Sequence, residues 1–280
     1  MRPVNHNDET VLITGASSGI GAAFARLLAA RGSGLVLVAR RIDRLESLAA
    51  ELRTAHRVHV EVIACDLSED APGERLLAET TARGVTVTSV VNNAGAGLWA
   101  RFVDSDPARL RQIVALNATA VMDVSRAFLP VMVRRGSGYL LNVSSLGAYS
   151  STPMQAVYSA AKAFVVSFTE ALWAETRGSG VRVLALAPGI TSSEFFEALA
   201  SDDPASRPGK AQTPAQVAET GLQVLERRNP PPSWVSGHLN HALALAPRYF
   251  TRRRAVLLTA AGTMRNTSTP PAAHNAPGVR

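Results

Sequence analysis

Residues 10–32 read TVLITGASSGIGAAFARLLAARG, a pattern that few folds accommodate. The β-branched and apolar run from Thr10 to Thr14 predicts a strand buried on both faces. Gly15, Gly19 and Gly21 follow, and the alanine- and leucine-rich stretch after them predicts a helix that stops near Gly32. A strand that turns on glycine into a helix presents unpaired N–H groups and a positive dipole end, where a phosphate can bind. Ser17, Ser18 and Ile20 share that turn. The spacing is G-x-x-x-G-x-G rather than the G-x-G-x-x-G dinucleotide fingerprint, so an ordinary βα turn stands beside the phosphate-binding reading.

The rest of the chain repeats the motif. Strand-like runs recur at 34–39, 58–64, 88–92, 138–143, 181–187 and 233–236. Helical stretches at 18–31, 41–54, 69–82, 107–134, 152–178 and 213–228 separate them. This alternation predicts an α/β fold, a doubly wound parallel sheet with helices on both faces. The 280 residues supply one full core, assigned to residues 1–262. Residues 263–280, TMRNTSTPPAAHNAPGVR, lack apolar periodicity and read as a disordered tail.

The second strand ends in Arg40 and Arg41, with no acid at its end. In dinucleotide folds an acid there takes the ribose 2′-OH, whereas arginine accommodates a 2′-phosphate. The residues therefore favour NADP(H) over NAD(H) through Arg40, with Arg41 more readily solvated at the start of the next helix. Tyr158 and Lys162 stand four apart in VYSAAKAF and share a helix face. An ammonium beside a phenol favours the phenolate and predicts a group able to exchange a proton near working pH. Lys162 is one of only two lysines among 29 basic residues.

With TGASSGIG (14–21), CDLS (65–68), NNAG (92–95), LNAT (116–119), NVSS (142–145), YSAAK (158–162) and APGIT (187–191) in this order, the chain resembles the short-chain dehydrogenase/reductase family over roughly residues 8–237. The resemblance implies a seven-stranded Rossmann-type sheet and a pyridine-nucleotide oxidoreductase. It implies Tyr158 as general acid/base, Lys162 as its partner and ribose ligand, and Ser145 as donor to the substrate oxygen. Asn117 would hold, through its backbone, a water linking Lys162 to solvent. On the cofactor side it implies Asp66 and Leu67 at the adenine, and Asn93, Ala94 and Gly95 along the adenosine ribose and central region. Pro188, Gly189, Ile190 and Thr191 would lie at the carboxamide. Asn92 and Ser144 read as structural, Asn92 through a neighbouring strand's backbone. The family often places a threonine two positions beyond Thr191, where this chain has Ser193.

Residues 192–212 occupy the family's substrate lid. Phe195, Phe196 and Leu199 there, and Trp99 after the fourth strand, are candidates for an apolar pocket wall and lean towards a lipophilic ketone or alcohol. Residues 241–280 hold six arginines and no acid. A basic helical extension over 238–262 could touch an anionic membrane surface weakly through 241–262. The sequence favours instead helices docked over the pocket or a subunit neighbour, because Pro247 breaks the pattern. Nucleic acid is not an expected partner. A homo-oligomer, dimer or tetramer, is implied by the resemblance, through the long helices at 107–134 and 152–178. The lone Cys65 excludes an internal disulfide, and the scattered histidines give no metal site. With no apolar signal core, a cytoplasmic location is the default. A nucleotide-sensing regulator and a lyase or epimerase that uses the bound cofactor are the alternative functions.

Overall fold

In the computed structural model, which describes residues 4–192, 194 and 211–264, the predicted alternation becomes one continuous sheet. The elements are β1 (Thr10–Thr14), α1 (Gly19–Ala30), β2 (Gly34–Ala39), α2 (Ile42–His56), β3 (Val60–Ala64), α3 (Pro72–Ala82) and β4 (Ser89–Asn92). They continue with α4 (Pro107–Val114), α5 (Ala120–Arg135), β5 (Tyr139–Val143), α6 (Ala156–Glu175), β6 (Arg182–Ala187) and α7 (Pro214–Leu225). The last are β7 (Ser233–Val235), α8 (His238–Leu245) and α9 (Arg252–Thr263). All seven strands are parallel, in the order β3-β2-β1-β4-β5-β6-β7. The winding reverses between β1 and β4, and a doubly wound sheet binds ligands in the crevice outside that point.

Strand periodicity divides the core into two layers. Val11, Ile13, Leu35 and Leu37 face a cluster with Phe24 and Leu28 of α1, Leu45 and Leu52 of α2, and Leu222 of α7. Leu12, Val36 and Val38 point the other way, towards Leu76 of α3 and Val124, Phe128 and Met132 of α5. Both faces are covered, so the strands read as continuous apolar runs rather than alternating ones.

Two predicted helices differ from their sequence reading. The helix expected over 107–134 contains a π-helical stretch, Ala115–Thr119, between α4 and α5. There the Asn117 side chain donates to the Ile113 carbonyl four residues back, competing with the backbone ladder. This long helix, Pro107–Arg135, has the length and apolar composition to cross a membrane, but α5 buries its apolar side against the sheet. The helix expected from residue 152 starts at Ala156, because Met154 takes a left-handed conformation (φ 69°) just after Pro153. Phe195, Phe196 and Leu199, most of the expected lid and nearly all of the expected tail lie outside the described residues. The tail's first residue, Thr263, is still helical.

Candidate active site

The carboxyl ends of the strands open onto a cleft of about 470 Å³ that extends from Gly15 and Arg40 to Tyr158 and Thr191. At one end β1 turns through Gly15, whose φ of +67° suits glycine, into the N-terminus of α1. Gly15, Ser17, Ser18, Gly19 and Ile20 line the cleft there. Gly21 does not: it is buried behind the turn, where an added Cβ would lie 2.3 Å from the Gly15 carbonyl oxygen and 2.6 Å from Asn93 Nδ2. Gly21→Ala is therefore expected to cost about 1–3 kcal/mol, read as a lower urea midpoint; an unchanged midpoint would mean that the turn has slack.

Thr14, which the motif reading passed over, locks this turn to β4. Its Oγ1 accepts from the backbone N–H groups of Asn93 (2.9 Å) and Ala94 (3.0 Å). The Asn93 Nδ2 donates to the Thr14 and Gly15 carbonyls (3.0 and 3.3 Å). The available signal was a hydroxyl at the strand end immediately before the first glycine. Asn92 is structural, but through a side chain rather than a backbone: its Nδ2 donates to Asn142 Oδ1 (2.9 Å) and Ser125 Oγ (3.2 Å).

Arg40 and Arg41 both line the cleft. Arg40 is largely exposed, with Nη1 3.9 Å from Asp66 Oδ2. Arg41 lies over the glycine turn, donating to Ser17 Oγ and Ser18 Oγ, both at 3.1 Å, and pairing with Glu194 at 2.9 Å. A strand-end pattern cannot show which of the two meets the serines. Asp66 and Leu67 line the cleft beside Arg40. Asp66 Oδ1 accepts from the Ser68 backbone and hydroxyl (2.9 and 2.7 Å). Partial burial pushes the Asp66 carboxyl up, but these bonds and the nearby Arg40 and Arg75 leave it below its ordinary value.

At the other end, Ser144 Oγ donates to the Lys162 carbonyl (2.8 Å) and ties β5 to α6. Ser145 caps the following 3-10 turn by accepting from the Gly147 N–H (3.1 Å), and its hydroxyl hydrogen-bonds the Tyr158 phenol. Tyr158 and Lys162 are both buried on one face of α6. The Lys162 Nζ donates to the Val143 carbonyl (3.0 Å) and lies 5.9 Å from the Tyr158 ring centroid. This corrects the expected electrostatics. Burial pushes the phenol up to about 12 against the pull of Ser145, and burial brings Lys162 down to about 8. Desolvation disfavours both charges, and an ammonium turned to a carbonyl does not reverse it.

Asn117 is fully buried behind the cleft wall. Its Nδ2 donates to the Ala96 and Ile113 carbonyls (2.8 and 2.9 Å). Its Oδ1 is buried without a hydrogen-bond partner among the described residues. A Cβ on Gly95 would stand 2.8 Å from that oxygen and 3.4 Å from Lys162 Nζ, so both atoms face the same point. Where the sequence reading gave the polar role to the Asn117 backbone, the geometry offers the side-chain oxygen.

Pro188, Gly189 and Thr191 line the cleft. The Pro188 carbonyl accepts from the Leu146 N–H (2.7 Å), and Thr191 Oγ1 donates to the Gly189 carbonyl (3.1 Å). Gly189 sits under Asn240 of α8, 2.3 Å from its Nδ2 to an added Cβ. Trp99 does not line the cleft. Leu98 instead borders a small neighbouring pocket with Leu110, Ile113, Met154 and Tyr158. Arg109 and Gln112, which no motif marked, contribute a wall together with Leu116 of the LNAT motif, at spacings i, i+3 and i+7.

Residues 9–204 match the family model described as short chain dehydrogenase. The sulfoacetaldehyde reductase of Chromohalobacter salexigens is 38% identical over 189 residues, 67% of this chain and 74% of that protein. The very-long-chain 3-oxoacyl-CoA reductase of Vanderwaltozyma polyspora is 31% identical over 68% of this chain and 60% of its own. A short-chain dehydrogenase from Sphingobium yanoikuyae, solved in complex with NADPH, superposes with a TM-score of 0.75 at 30% identity, over 95% of this chain and 99% of that one. A 7β-hydroxysteroid dehydrogenase structure gives 0.79 at 25% identity, over 90% and 96%. Motifs, sheet order and these relatives agree: the chain belongs to the short-chain dehydrogenase family of oxidoreductases.

Proposed function

We propose that the protein is an NADP(H)-dependent oxidoreductase that interconverts a carbonyl and an alcohol on a lipophilic substrate. The observation that carries this reading is the convergence of Ser145, Tyr158 and Lys162 at the end of a cleft whose far end is a glycine turn with a helix N-terminus. The residues fit a nicotinamide dinucleotide. Gly95 leaves room beside Lys162 Nζ and the unpartnered Asn117 oxygen, and Arg41 with Ser17 and Ser18 offers donors near the turn. Thr191 and Gly189 would hold the carboxamide end, and Asp66 and Leu67 the adenine. When bound, the nucleotide supplies the hydride for reduction or accepts it in oxidation.

The side chains supply the proton chemistry. A phenol at about 12 is neutral at pH 7, the form needed to give a proton to a carbonyl oxygen. Ser145 donates to the same oxygen as negative charge grows there, and a preorganised donor of this kind contributes a few kcal/mol. Lys162 Nζ would return the proton to Tyr158, and Asn117 Oδ1, an acceptor that faces the same point beside Gly95, would hold the water through which Lys162 exchanges that proton with solvent. Apolar Leu98, Ile113 and Met154 line a small pocket beside Tyr158. The long-chain acyl-CoA and steroid relatives support a lipophilic substrate; the sulfoacetaldehyde relative is of another kind. Exposed Val114, Met122, Val133 and Phe164 on the long helices support a homo-oligomer formed through them.

The test follows the absorbance of reduced nicotinamide against ketones and aldehydes of increasing apolar size. Turnover with NADPH and a kcat/KM that climbs with apolar size are expected; tight binding of NADPH without its oxidation by any of these substrates would leave a nucleotide sensor instead. Charged hydrogen bonds of about 1.5–3 kcal/mol set the cofactor expectation. The Arg40→Ala/Arg41→Ala variant should lose about tenfold to a hundredfold in kcat/KM for NADPH and little for NADH. An unchanged ratio overturns the NADP(H) assignment.

A further inference from the structure

We propose that the C-terminal segment, residues 238–264, seats the protein on an anionic lipid surface. Each helix there turns its smaller residues inward and its larger apolar ones outward. On α8, Ala244 is buried with Ala187 and Val235, while Leu239 and Leu243, one turn apart, are exposed (Leu239 69%). On α9 no residue is buried. Ala255, Thr259, Ala260 and Thr263 are partly covered, whereas Leu257 and Leu258 face solvent (Leu258 60%). Tyr249, in the turn between the two helices, is 84% exposed, and Phe250 after it is also exposed. Large apolar side chains grouped at a surface in this way mark an interaction site.

Charge selects the partner. Arg252, Arg253 and Arg254 form the first turn of α9, where the helix dipole disfavours cations. Residues 241–280 carry six arginines and no acid out of a net charge of +7, leaving +1 for the rest of the chain. Two copies meeting through this segment would bring like charges together, and the remaining body, at +1, has no net negative charge to attract it. An anionic bilayer accepts both features, the arginines at its headgroups and the leucines and Tyr249 below them. The segment adjoins the site, since Asn240 of α8 covers Gly189 and α8 packs near Leu146 and Tyr149. Docking would bring the substrate end of the cleft close to the lipid, which deepens the reading of a lipophilic substrate and rests on it only for that consequence.

Sedimentation of the full-length protein with vesicles tests this. Binding is expected to equimolar phosphatidylcholine–phosphatidylglycerol vesicles, not to phosphatidylcholine alone, and should weaken in high salt. The Arg252→Gln/Arg253→Gln/Arg254→Gln variant should bind about a hundredfold more weakly, and Leu257→Ser/Leu258→Ser should also release the protein. Both variants should keep wild-type turnover of a water-soluble ketone. No binding by the wild type, binding indifferent to the arginines, or a change of oligomeric state in the leucine variant without loss of vesicle binding would each overturn the proposal. If no ketone is turned over while vesicle binding still follows the arginines, the oxidoreductase reading fails and the surface stands.

Discussion

Tyr158→Phe is expected to lower kcat for carbonyl reduction by about 10²–10⁴-fold, the range for removing a positioned general acid, while NADPH affinity stays near wild type. Phenylalanine keeps the ring in its buried place on α6 and removes only the hydroxyl that meets Ser145. The pH profile adds an independent readout. Because burial holds the phenol at about 12, the acid is protonated throughout the neutral range, and reduction should stay level there. It should fall as pH rises through about 8, where Lys162 loses its proton. The oxidative direction needs the phenolate and should gain with pH. Loss of NADPH binding in the variant, with kcat retained on saturation, would instead give Tyr158 a structural role.

Lys162→Met is expected to abolish reduction and, at pH 7, to make the nucleotide-free protein more stable. The wild-type ammonium is buried with a single carbonyl, and its pKa falls from 10.5 to about 8 on folding. Below about pH 8 both folded and unfolded chains are protonated, and the whole cost of burying the charge, about 3 kcal/mol, is present. Between 8 and 10.5 the unfolded chain binds more protons, so wild-type stability should rise with pH across that window. Methionine removes the cost and flattens the slope, offset in part by the lost bond to the Val143 carbonyl; a net gain of about 1–3 kcal/mol in urea unfolding is expected. A variant less stable than wild type at pH 7 would contradict the energetic account of the site.

Much of this site was legible before any coordinates. Tyr158, Lys162 and the glycine turn were legible from spacing, because i, i+4 on a helix and a strand–glycine–helix sequence are local geometries, and Ser145 from the family resemblance; the parallel sheet brings them to one cleft. Gly21 shows the limit: its glycine was visible, but its reason, a carbonyl and an amide within 2.6 Å of any Cβ, depends on β4 arriving beside β1. The hydroxyl of Thr14 was visible at the strand end, but its role was not, since its partners Asn93 and Ala94 lie far along the chain. Arg41 stays exposed at the start of α2, as its position suggests, but a run of two arginines does not reveal that it is the one whose guanidinium meets Ser17 and Ser18.

The chain on its own determined the alternation of strands and helices, the placement of the glycines and the tyrosine–lysine face, all set by interactions within a few residues. Only the tertiary structure decided the charge states of that face. Whether an ammonium lowers a phenol's pKa depends on how much water remains and where the lysine points, and here α6 packed beside β5 excludes the water and turns the lysine to the Val143 carbonyl.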